Sequence, residues 1–313
     1  MPDGSSMESG LYDDLLTQSL RDALQALDTD RLRIRDLEPG EGAHRLAVHL
    51  RQIAGALVRV GDSAEALNNE AVRANGILTQ LLGGGGGEQV TIPLQLLTGI
   101  APPAHGVGRS GLPDHPVIPL SEAELLVNAP GQPSMGQLIR QECASATRVD
   151  LICAFIGPHG VHTLIDALEE VTQRCGPGSV RVITSTWLGA TQRSALDMLS
   201  NLGAQVFVAY EGQRLRLHAK SWTFHRPGDL TTAYVGSSNI SHHALETALE
   251  WNVRLSQRTN SAVIDRIVQT FEAYLAGAEF EEYLPERDRA RLDEALARAR
   301  GSKGPRRLEP SDE

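Results

Sequence analysis

The sequence predicts an α/β fold with a mixed sheet covered by helices, preceded by a small helical module. Three observations carry this. Between residues 149 and 209, short Val- and Ile-rich runs alternate with helical stretches, the pattern of a sheet with parallel character. Beyond residue 217 the strand-like runs crowd closer together, which turns the sheet mixed. In the first third, leucines recur at helical spacing instead.

Residues 1–10 are small and polar, the composition of a mobile end. Leucines at 11, 15, 16, 20, 24 and 27 predict an amphipathic helix from Leu11 to Leu27. Leu46, Leu50, Ile53, Leu57 and Val60 predict a second from Arg45 to Val60. A third runs from Ser63 to Leu82, with Asp62 or Ser63 as N-cap, and Gly83–Gly87 stops it. Residues 1–87 are therefore read as a helical module for docking or dimerisation, without a catalytic constellation. Residues 88–133, rich in Pro and Gly yet holding Val90–Leu97 and Ala123–Val127, form an irregular connector packed on the next domain.

The main domain is expected over residues 134–284. It opens with a helix, Gly136–Ala146, and a buried strand, Val149–Ile156. A turn and a helix, Val161–Arg174, lead to strand Val180–Thr184. A Thr- and Ser-rich loop, helix Gln192–Leu202 and strand Gln205–Ala209 follow. After the polar stretch discussed next comes an amphipathic helix, Ser261–Leu275. Residues 285–313 are read as a charge-rich helix from Pro285 to near Arg300 and a disordered tail.

The bulk numbers restrict the function classes. A net charge of −10 argues against coating nucleic acid through a uniformly basic surface, while leaving room for a local basic cleft. At 4% aromatics no extended base-stacking platform is expected. The N-terminus lacks a signal-peptide pattern and no apolar run is long enough for a bilayer, so a cytoplasmic protein without membrane contact is expected. Cys143, Cys153 and Cys175 lack CxxC spacing, which fits structural thiols in a reducing compartment.

The informative stretch is Leu217–Val253, which holds His218, Lys220, Ser237, Asn239 and Glu250 on short strands and their turns. His218 and Lys220 stand at i and i+2, on one face of an extended strand. Asn239 follows Gly236-Ser237-Ser238, where glycine would let the backbone approach a ligand. An imidazole, an ammonium, a hydroxyl, a carboxamide and a carboxylate suit a phosphate diester better than a core.

His218-Ala219-Lys220, Gly236-Ser237-Ser238-Asn239 and Glu250-Trp251-Asn252 resemble the HxK, GSxN and ExN signature of the phospholipase D superfamily, nuclease branch. The wider text is similar to the phospholipase-D-like module of bacterial DEAD-type helicases and to the corresponding subunit of DISARM-type anti-phage systems. The similarity runs from about Leu11 to Leu284, with specific motifs only beyond Asp150. It implies a phospholipase D-like α-β-α sandwich and a metal-independent nuclease that needs no cofactor. His218 would attack phosphorus and form a phosphohistidine. Lys220 and Asn239 would hold the non-bridging oxygens, Ser237 would add a hydroxyl contact, and Glu250 would orient the His218 ring. With a single HxK, the second histidine the chemistry needs would come from another copy, so the resemblance implies a homodimer with its site on the two-fold axis. Helicase or other defence-system subunits are the further partners implied. The family's HxK(x)4D pattern expects aspartate where this chain has His225.

Arg193, Arg214, Arg216 and Arg226 would line a basic entrance for a DNA backbone, the plain alternative being solvated strand charges. Thr184, Ser185, Thr186 and Thr191 follow a strand and precede a helix, where they would hold phosphate or simply cap the helix. His159, His162, His242 and His243 read as turn or surface histidines, not metal ligands. The leading expectation is DNA cleavage in restriction or phage defence. A second is a catalytically weak or inactive nucleic-acid-binding subunit serving a helicase. A third, phospholipid hydrolysis, has no basic amphipathic helix behind it.

Overall fold

The computed structural model describes residues 15–25, 32, 34–36, 39–57, 63–81, 83, 89–93, 95, 98, 113, 115–129, 131–210 and 216–301. The expected mobile start, Arg214 and the tail beyond Gly301 lie outside them. The chain divides into two compact units, residues 1–98 and 99–313.

The first unit is helical. α1 (Gln18–Leu24) is shorter than its leucine pattern and starts on Thr17, whose Oγ1 accepts from Leu20 N at 3.2 Å. α2 (Pro39–Leu57) begins ahead of the expected Arg45, at a proline whose fixed φ suits a first helical position. α3 (Ala64–Leu81) starts on Ser63, whose Oγ accepts from Ala66 N at 3.1 Å. The Asn75 carboxamide of α3 pairs with both Val90 N and Val90 O at 2.8 Å, so this unit reaches past the glycine run expected to end it. Ala71 is the one buried apolar side chain among its described residues.

The second unit is the α/β sandwich. In chain order it runs β1 (Glu124–Leu126), α4 (Met135–Ser145), β2 (Arg148–Cys153), α5 (Pro158–Cys175), β3 (Val180–Ser185), α6 (Arg193–Asn201) and β4 (Gln205–Ala209). Then come β5 (Lys220–His225), β6 (Thr232–Gly236), β7 (Asn252–Ser256), α7 (Gln257–Ala276), β8 (Glu281–Glu282) and α8 (Pro285–Gly301). The eight strands lie in the order β1-β7-β6-β5-β2-β3-β4-β8. β2, β3 and β4 are parallel, and β5, β6, β7 and both edge strands join antiparallel. β8 escaped the sequence reading because two glutamates carry no strand signal; pairing with β4 makes it a strand.

Alternation along the strands sorts the core. Val149 and Leu151 of β2, Val182 of β3 and Val206 of β4 face α4, α5, α6 and α8, meeting Leu138, Leu164, Leu196 and Leu292. Ile152 and Ile183 face the other way and meet Phe271 of α7. Each such side chain, once buried, stabilises the fold by about 1.5–3 kcal/mol. The charge-rich α8 is thus part of this unit through Leu292 and Leu296.

A buried carboxylate ties the layers. Glu142 of α4 is fully buried and accepts from Arg226 Nη2 at 2.6 Å, Arg254 Nε at 2.9 Å, Thr232 Oγ1 at 2.9 Å and Tyr234 OH at 2.8 Å. Burial works to raise its pKa, but the charges of Arg226 and Arg254 and the hydrogen bonds of Tyr234 and Arg254 prevail and lower it. Arg254 also donates to the carbonyls of Pro119 and Glu122, which fastens the proline-rich segment to the sheet. Arg226, expected at a DNA entrance, is instead a buried strut: its guanidinium is consumed by Glu142, Ser145 and Thr232.

Candidate active site

The motif residues meet beyond the C-terminal ends of β2 and β3, where crossover connections in such sheets leave a crevice. Two backbone bonds bring the loops together: Ile240 N to Phe155 O at 3.2 Å and Gly157 N to Ile240 O at 2.8 Å. Cys153, the last residue of β2, is the register partner of Lys220, the first of β5.

Lys220 is buried to 6% exposure, with Nζ donating to His218 O at 2.7 Å and lying 5.7 Å from the centre of the Phe155 ring. Burial lowers its pKa, against the opposing influence of Cys153 and Glu250. One of three ammonium protons is spent on the His218 carbonyl, which leaves two without a partner among the described residues. His218 is exposed, and among the described residues its ring makes no hydrogen bond; Trp187 and Phe155 stand edge-on to it at 5.5 and 6.0 Å. Cys153 Sγ donates to Phe155 O at 3.2 Å and lies 3.9 Å from Asn239 Oδ1. Burial pushes the Cys153 thiol up to about 11, so it stays protonated as that donor.

Ser237 and Glu250 form a pair of their own. The Ser237 hydroxyl donates to Glu250 Oε2, and its oxygen accepts from Trp251 N at 3.1 Å. Glu250 was expected to hold the His218 ring; within this chain its carboxylate is engaged by Ser237. Gly236 also differs from expectation. A Cβ there would run into Trp251 O and the Asn252 side chain, so its glycine serves close packing on β7, not approach to a ligand. Asn252 then uses its amide on the buried Ser238 hydroxyl at 2.8 Å, a purely structural use of the motif's last asparagine.

The other expected contacts separate clearly. Thr186 is buried to 1%, with its hydroxyl given to Tyr210 O at 2.9 Å. Thr184 and Thr191 pair at 3.3 Å and Thr191 donates to Ala154 O, so these hydroxyls close the loop, neither capping the helix nor facing the site. Arg193 has both edges matched, by Asp197 at 2.7 Å and Asp293 at 2.9 Å. Arg216 is exposed two residues ahead of His218, with no partner among the described residues. His225, the apparent defect of the motif, lies at the far end of β5, where Nε2 donates to Asp150 Oδ2 at 2.6 Å. Phe155 and Trp187 were missed in the sequence; the available signal was a tryptophan in the loop directly after β3, in a chain with three in all.

Residues 139–275 match the family model described as cardiolipin synthase, PLD-like domain. Their mixed sheet with flanking helices is a PLD-like α/β fold. Among solved structures, the chain is similar to the phospholipase D family member Nuc from Salmonella typhimurium, at 15% identity over 52% of this chain and 99% of that one, TM-score 0.38. NucT from Helicobacter pylori aligns at 13% identity over 52% and 99%, TM-score 0.39. Phosphatidylserine synthase from Haemophilus influenzae Rd KW20 aligns at 12% identity over 58% and 46%, TM-score 0.37. No curated protein matches the chain. The matched residues include every motif residue from His218 to Glu250. No described helix is long and apolar enough to cross a membrane.

Proposed function

We propose that the PLD-like domain is a metal-independent phosphodiesterase that cleaves DNA through a phosphohistidine. The observation that carries this reading is the set of groups at one mouth that are unspent among the described residues: the His218 ring, two Lys220 protons and the Asn239 NH2. An His218 ring nitrogen attacks phosphorus; a P–N bond forms as the P–O bond to the leaving alkoxide breaks. Lys220 and Asn239 donate to the non-bridging oxygens as charge gathers there. Water then cleaves the P–N bond and restores the imidazole. Arg216 offers a phosphate contact along the backbone.

The alkoxide needs a proton, and this motif has one histidine. A second copy would bring its own His218 as acid, which makes the protein a homodimer. An apolar strip beside the motif supports this. Leu125, Val253 and Val235 are register neighbours across β1, β7 and β6, and all are exposed. Trp251, 66% exposed, and Leu249, 75% exposed, extend the strip to either side of Glu250. The resemblance to helicase-linked and DISARM-type modules supports a cytoplasmic role in anti-phage defence with a helicase among the partners.

The test is DNA cleavage in excess EDTA, with light scattering on the same sample. Cleavage by a dimer, absent in His218→Ala, is expected. Cleavage that stops on chelation rules out the mechanism, and salt-sensitive binding without cutting selects the inactive binding subunit instead.

A further inference from the structure

His218 has no hydrogen-bonded orienting group among the described residues, yet two aromatic rings pack against it. The Trp187 ring lies 5.5 Å away at 83° and the Phe155 ring 6.0 Å away at 77°. These two rings stack on each other at 5.8 Å and 26°, forming one wall. Edge-to-face pairs at such separations are the favoured geometry, and each biases orientation by up to about tenfold.

The wall is braced from behind. Trp187 opens a single helical turn, Trp187–Gly189, in which Leu188 and Gly189 both take left-handed backbone, φ 62° and 61°. That conformation is held by α8. Arg300 Nε donates to Gly189 O at 3.1 Å, and a Cβ on Gly189 would stand 2.7 Å from Leu296 O. Upstream, the Thr186 hydroxyl is anchored on Tyr210 O, and Arg291 of α8 sits 3.9 Å over the Tyr210 ring. A continuous chain of contacts therefore runs from α8 through the 186–189 turn to the indole and on to the imidazole.

We propose that Trp187 is a positioning residue that holds the His218 imidazole for in-line attack, and that α8 holds Trp187. This rests on the phosphodiesterase reading of His218. Phosphate is gripped by Lys220 and Asn239, not by the indole. Loss of the wall therefore lowers the fraction of rings aimed at phosphorus and leaves substrate binding unchanged.

The experiment uses the full chain with bis(p-nitrophenyl) phosphate, and ring 13C relaxation of labelled histidine, with the His218 signal identified by its loss in His218→Asn. Trp187→Ala should lower kcat by about three- to tenfold with KM within about twofold. The His218 ring order parameter should fall from about 0.85 toward 0.6 while that of His225 stays high. Trp187→Phe should recover both, and Arg300→Ala, which keeps the indole but removes its brace, should lower kcat in the same direction by about two- to fivefold. Wild-type kcat and ring order in Trp187→Ala overturn the proposal. So does a Trp187→Phe variant as poor as Trp187→Ala, or a change confined to KM. If the wild-type protein cleaves nothing, the phosphodiesterase reading fails, and ring order alone decides whether Trp187 positions His218.

Discussion

β5 has a histidine at either end, and the two live differently. His218, just ahead of the strand, is exposed, touched by two aromatic rings and unbonded at its own ring nitrogens among the described residues. His225, at its close, donates to Asp150, lies against Arg148 Nη2 at 3.3–3.4 Å, and offers its carbonyl to both Thr147 N and Thr147 Oγ1. Asp150 in turn takes a two-bond fork from Arg181, each bond 2.7 Å, and Arg181 reaches on to Glu272. One ring has its bonding capacity in hand; the other has spent it. Seven residues at about 3.3 Å each put the two about 23 Å apart along the chain, too far for one phosphate. The difference teaches that the missing motif aspartate is a matter of the sheet's far end, where β2 already supplies the carboxylate as Asp150.

The hardest way to break this contrast is at Asp150, buried to 2%. Asp150→Ala strands Arg181 and His225 and should cost about 3–5 kcal/mol in chemical denaturation, while folded protein keeps its kcat. Burial works to raise the Asp150 pKa, yet the hydrogen bonds and charges of His225 and Arg181 prevail and lower it. A carboxyl lowered on folding stabilises fully above its unfolded value of about 3.9, and that contribution fades as pH drops through the folded value. Asp150→Asn should therefore flatten the loss of stability below about pH 4; an unchanged acid-unfolding curve would refute the ion cluster's role.

At the other end, Lys220→Ala should lower kcat roughly 10²–10³-fold, as removal of an oxyanion donor does, with melting temperature little changed by comparison. Equal losses in both would make Lys220 a structural residue. The smallest and sharpest change is His225→Asp, which restores the family's motif residue. It places a carboxylate against Asp150 and should lower stability by about 1–3 kcal/mol without raising kcat. A gain in activity there would return position 225 to the site.

Much of the second unit was legible because its signals are local. Strands β2 to β4 announced themselves as Val- and Ile-rich runs, and α4 to α7 as apolar periodicities with ends off by a few residues. α8 was legible as a helix but not as part of the core, since its two buried leucines are outnumbered by charges. Arg226 shows the limit well. Nothing in its neighbourhood in sequence separates a solvated strand arginine from one neutralised by Glu142, 84 residues earlier.

Sequence by itself determined the α/β alternation, the helical first unit and the HxK, GSxN and ExN groups, all of which are spacings within one short segment. Only tertiary structure decided which of those groups keep free donors. It gave Glu250 to Ser237, Asn252 to Ser238 and His225 to Asp150, and it set Trp187 beside His218. The reason is physical: periodicity is a property of neighbours along the chain, whereas a hydrogen bond is spent on whatever the sheet order brings within 3 Å, and that order joins β5 to β2 across some seventy residues.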